Sequence, residues 1–96
     1  MDSKEIFSKK GKFIIFKYSP IDPISHNARD IIIDYMKQSN ALEVVRVNII
    51  RDEELNLKMG QVYGVENKSS KVLVIENQKC VAGFSEVTLE KLKSLV

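Results

Sequence analysis

Apolar residues along this chain recur at two different periods, and the places where the period changes mark the ends of the elements. Ser3 to Lys10 carries Ile6 and Phe7 among polar residues and runs into Gly11, which predicts a short helix with those two side chains inward and a glycine stop. Lys12 to Tyr18 predicts a strand whose centre, Phe13-Ile14-Ile15-Phe16, is apolar on both faces, as expected of a central strand covered on both sides. Between Ile24 and Gln38, Ile24, Ala28, Ile31, Ile32, Tyr35 and Met36 form a stripe along one side of a helix that ends at Ser39-Asn40. Leu42 to Ile50, rich in Val and Ile, predicts a second strand. Asp52 is placed to cap a third helix with Leu55, Met59 and Val62 on its inner face and Gly64 after it. Lys71 to Ile75 and Lys79 to Gly83 then predict short strands around the turn Glu76-Asn77-Gln78. A last helix, starting near Ser85 or Thr88, sets Leu89, Leu92 and Val96 on one face.

The order is helix, strand, helix, strand, helix, strand, strand, helix, which predicts an α/β fold with a four-stranded mixed sheet and helices on both faces. Two strands joined through a helix should be parallel with a right-handed crossover, and the last two should add an antiparallel hairpin. With 96 residues, sparse Gly and Pro, and no repeat or low-complexity segment, residues 1–96 read as one domain.

Composition narrows the function classes. Fifteen Lys or Arg against thirteen Asp or Glu give a net charge of +2, too balanced to predict binding to nucleic acid or to a membrane surface. Lys4, Lys9, Lys10 and Lys12 form the nearest approach to a basic patch and read as a solvated face. No apolar run approaches the roughly 18 residues of a membrane-spanning helix, and the start lacks a signal-peptide pattern. Cys80 is the single cysteine, so no internal disulfide forms, and a reducing, cytoplasmic setting is expected. His26 and Cys80, each alone of its type, supply no metal-ligand pair, and no cofactor is expected.

The chemistry-bearing stretch is Tyr18-Ser19-Pro20-Ile21-Asp22-Pro23-Ile24-Ser25, a turn from the first strand into the striped helix. Pro23 suits the first helical position and pushes its predecessor out of helical geometry, so Asp22 reads as an N-cap. A catalytic acid is the lesser reading, because nothing nearby in sequence offers a base or nucleophile as its partner. His26 reads as an exposed side chain in the first turn, or a neutral hydrogen-bonding group beside the turn.

The element order is the thioredoxin-like arrangement, and Lys17-Tyr18-Ser19-Pro20-Ile21-Asp22-Pro23-Ile24-Ser25 resembles the active-site segment of the monothiol bacilliredoxins. In that family a Lys-His-Ser lead is followed two residues later by Cys-Pro-Ile-Ser. Val47-Asn48-Ile49-Ile50-Arg51-Asp52, Leu55 and Gly64-Val65 look like its second strand and following helix, and a weaker likeness continues through Ser69, the hairpin and the last helix. The resemblance implies a thioredoxin-like fold in a bacterial redox family, but it sets Asp22 where the reactive cysteine belongs. It also sets Ser70 at the position of a cis-proline that shapes the substrate groove; a cis bond before a non-proline residue costs about 3 kcal/mol, so a trans bond is expected.

A helix start favours a carboxylate as it favours a thiolate, yet a carboxylate cannot exchange with a disulfide. The resulting expectation is a non-catalytic or diverged module that binds a peptide or protein at Tyr18, Ser19, Pro20, Ile21, Asp22, Pro23, Ser69, Ser70 and Phe84, as a monomer or weak dimer. The enzyme alternative is a thiol-disulfide oxidoreductase working with a low-molecular-weight thiol, in which Cys80 or a partner supplies the sulfur. Cys80, just past the hairpin, is expected roughly 15 Å from Asp22, with only Lys79 as a cationic neighbour in sequence.

Overall fold

The computed structural model describes residues 3–19, 23–63, 72–84 and 87–95. Its elements are α1 (Ser3–Ser8), β1 (Lys12–Tyr18), α2 (Pro23–Met36), β2 (Glu43–Asn48), α3 (Glu53–Tyr63), β3 (Val72–Glu76), β4 (Lys79–Phe84) and α4 (Leu89–Lys93). The strands form one sheet in the order β2-β1-β3-β4. β1 pairs parallel with β2, Phe16 opposite Arg46, and antiparallel with β3, Phe16 opposite Val72. β3 and β4 form the expected antiparallel hairpin.

Alternation along the strands divides the core into two layers, because successive side chains point to opposite faces. Phe13 and Ile15, with Val45, Val47, Leu73 and Ile75, pack against Ile6 of α1 and Met59 of α3. On the other face Ile14, Phe16 and Val72 meet Ala28, Ile32 and Tyr35 of α2 and Leu92 of α4. The continuous apolar run in β1 thus follows from its interior place in the sheet: Phe13 to Lys17 are all buried.

Local chemistry sets the joints. Gly11 takes the left-handed φ of +84°, and its carbonyl accepts the Asn77 N–H at 3.0 Å, tying the entry of β1 to the hairpin. At the hairpin Asn77 and Gln78 both have positive φ, 50° and 68°, matching a two-residue turn of the primed kind. Val74 pairs with Ala82 and Ile75 with Cys80, so Val81 is the unmatched residue of a bulge. The Asn48 Oδ1 accepts the Ile50 and Arg51 N–H groups, and the Asp52 carbonyl accepts the Asn56 N–H, which starts α3 where the capping argument placed it. Of the two starts expected for the last helix, Thr88 is the cap, its hydroxyl accepting the Lys91 N–H at 3.2 Å.

The packing corrects three sequence expectations. α1 ends at Ser8 rather than Lys10, and Lys9 instead pairs with Glu43 and lies over the Phe13 ring. Met36, assigned to the buried stripe of α2, is 46% exposed, because Tyr35 takes the core position beside it and its hydroxyl accepts the Leu42 N–H at 2.8 Å. Val62, assigned to the inner face of α3, is 50% exposed: the inner line runs Leu55, Met59, Tyr63 at intervals of four, with Tyr63 against Phe7. Gly64, Lys71, Ser85 and Val96 lie outside the described residues.

Candidate functional site

β1 delivers Tyr18 and Ser19, both half-buried, to the carboxyl end of the parallel pair, and α2 begins at Pro23, where a missing N–H leaves no helical bond unmade. The Tyr18 carbonyl accepts the Ile49 N–H at 3.0 Å, so the exits of β1 and β2 are held together. The Tyr18 ring stacks on Phe16, centroids 5.8 Å apart at 24°. Phe84 closes β4 opposite Val72, itself opposite Phe16, which brings its backbone to the same end of the sheet. His26 is exposed on α2. Pro20, Ile21, Asp22, Ser69 and Ser70, together with the bond entering Ser70, lie outside the described residues.

Cys80 is carried to the other end. It pairs with Ile75, which pairs with Phe13, and Tyr18 lies five residues farther along β1, roughly 17 Å in the strand direction at about 3.3 Å per residue. The thiol is half-buried and donates to the Ala82 carbonyl at 3.3 Å. Burial pushes its pKa up, against the lowering effects of the Ala82 backbone and the Lys17 charge.

Lys17 supplies what sequence neighbours do not. Its residue is 4% exposed, on the face that carries Phe13, Ile15 and Cys80, and desolvation lowers its pKa while Cys80 opposes that shift. Tyr63 faces the same layer; burial and then Cys80 raise its pKa, and its hydroxyl has no hydrogen-bond partner among the described residues. Nothing local in the sequence gives Lys17 or Tyr63 a role; a lysine inside an otherwise apolar strand is the available signal.

A second feature without a sequence forecast is a cavity of about 160 Å³ beside the exit of β1, lined by Phe16, Tyr18, Arg29 and Arg46. Arg46 interrupts the run Val44-Val45-Arg46-Val47, the one local hint of it. Among the described residues no group of three or more His, Cys, Asp or Glu side chains is placed to hold a metal ion, and no helix is long and apolar enough to cross a membrane.

A family model described as monothiol bacilliredoxin BrxC matches residues 1–93. No curated protein matches the chain. Among solved structures, a candidate oxidoreductase with a thioredoxin fold superposes with a TM-score of 0.80 at 15% identity, covering 95% of this chain and 82% of the other. Trxlp from Edwardsiella tarda EIB202 gives a TM-score of 0.70 at 15% identity, covering 96% and 87%. At that identity the likeness establishes the thioredoxin fold.

Proposed function

We propose, for a chain that belongs to the monothiol bacilliredoxin family, a diverged role in which the turn after β1 binds a peptide or protein segment and no longer exchanges disulfides. The observation that carries this reading is the place of the protein's single cysteine at the hairpin end of the sheet, roughly 17 Å along the strand direction from Tyr18, where the turn begins. Position 22, which the family resemblance makes the reactive cysteine, is a carboxylate, and Cys80 belongs to the hairpin end of the sheet. Thiol-disulfide exchange needs a thiolate that can reach the incoming sulfur. Burial raises the Cys80 pKa and so reduces the thiolate fraction at neutral pH. In this role Tyr18, Ser19, Pro20, Ile21, Asp22, Pro23, Ser69, Ser70 and Phe84 form the contact surface, with Asp22 retained as a helix cap.

The direct test is incubation of the native protein with excess oxidised glutathione at pH 7.5, followed by intact-mass and peptide mass spectrometry. The native chain should gain no adduct at Cys80 beyond the rate of an unactivated thiol, whereas Asp22→Cys should gain one glutathione at position 22. Rapid adduct formation at Cys80 in the native chain would restore the oxidoreductase reading.

A further inference from the structure

We infer that the cavity beneath Arg29 and Arg46 binds the anionic head, carboxylate or phosphate, of a small molecule, with an apolar or ring portion of that molecule against Tyr18. The first argument is charge. Phe16, Tyr18, Arg29 and Arg46 line the cavity, so among the described residues its wall holds two guanidinium groups and no carboxylate. Arg29 has an ion pair with the adjacent Asp30 at 3.8 Å, but their side chains are 50% and 70% exposed, an arrangement that holds the guanidinium weakly. Arg46 takes part in none of the ion pairs among the described residues, which are Lys9–Glu43, Arg29–Asp30 and Arg51–Asp52. A planar guanidinium presents paired donors that match carboxylate and phosphate oxygens.

The second argument is setting. Phe16 is wholly buried and Tyr18 half-buried, and their stacked rings give the cavity an apolar floor, where charge-assisted hydrogen bonds are stronger than in open water. The register places Arg46 directly opposite Phe16 near the ends of the parallel strands, and Arg29 reaches the same space from α2. The crevice at the carboxyl ends of parallel strands is the general ligand position in α/β sheets. Size then limits the occupant: a cavity near 150 Å³ holds one benzene ring, so about 160 Å³ takes a head group rather than an entire large ligand. Arginines on an edge strand and a helix also discourage edge pairing and cover rings with their stems. Replacement by methionine separates these roles, since it keeps an apolar stem and removes the guanidinium.

The experiment is an amide and arginine Nε–H NMR titration at constant ionic strength with inorganic phosphate, succinate and benzoate, and with benzamide as the neutral counterpart of benzoate. Saturable shifts centred on Phe16, Tyr18 and Arg46 are expected for at least one anion, and the anion that saturates identifies the head group. Affinity should fall at least tenfold in Arg46→Met and in Arg29→Met. Shifts that never saturate, that survive in the double Met variant, or that benzamide reproduces at equal affinity overturn the inference. If a Met variant loses its dispersed spectrum, Arg46→Lys and Arg29→Lys replace it: they keep stem and charge but lose the fork. An affinity that then falls less than threefold overturns the inference equally. The glutathione assay on Asp22→Cys reads a different atom, so either idea can fail without the other.

Discussion

A lysine that is 4% exposed has left most of its hydration behind, and no carboxylate among the described residues forms an ion pair with Lys17 to compensate. Desolvation therefore lowers its pKa, and the unfolded chain holds that proton more tightly than the folded one. The stability cost is full below the lowered pKa and fades as pH rises from there toward the ordinary value of 10.5. Cys80 and Tyr63 run in the opposite direction. Their raised values mean that stability is lost as pH climbs above 9.0 for the thiol and 10.0 for the phenol, where the unfolded chain ionises first. Lys17→Met, which keeps the stem and removes the ammonium, should raise the unfolding free energy at pH 7 by about 1 kcal/mol. Urea denaturation at a series of pH values should show that gain shrinking toward pH 10.5; a loss at pH 7, or a gap independent of pH, contradicts the assignment.

At the scale of elements, the β3–β4 hairpin carries a local misfit that tertiary structure overrides. Both turn residues need positive φ, which Asn77 tolerates and Gln78 does not favour. The turn is nevertheless held, because the Asn77 N–H reaches the Gly11 carbonyl and Ile75 and Leu73 are locked into the sheet. Gln78→Gly relieves the left-handed strain and should stabilise the protein by roughly 0.5 to 1 kcal/mol, the steric gain being partly offset by the greater freedom of glycine when unfolded. The midpoint of a urea titration would rise with an unchanged slope; a fall would show that the Gln78 side chain stabilises the turn in some other way. The helix ends were more legible than this turn. Asp52 is legible as the residue before α3 from its type and position, and Thr88 as one of two starts for α4, since a helix start is set within a few residues of chain. The inner face of α3 is less so, because Val62 and Tyr63 are both apolar enough to face inward and it is the packed layer from distant elements, Phe7 of α1 included, that takes Tyr63.

For the whole molecule, β1 is the member on which both core layers depend. Ile14 and Ile15 are each fully buried, on opposite faces, between partners on both sides. Ile14→Ala should cost about 3 kcal/mol, a large part of the roughly 5 to 10 kcal/mol expected of a domain this size. Denaturant unfolding would then show a sharply lower midpoint; a loss below 1 kcal/mol would mean that the α2–α4 layer can collapse onto the gap. The sequence by itself determined the order of elements, the double-faced apolar character of β1, and the carboxylate at position 22. Each is written in residue type or in a period of two to four residues, and needs no distant partner to be read. Only the tertiary structure decided that Lys17 shares a buried layer with Cys80 and Tyr63, and that Arg29 and Arg46 enclose one space over Phe16 and Tyr18. Periodicity assigns a side chain to a face, but strand register and helix placement choose its neighbours, and desolvation and charge depend on those neighbours.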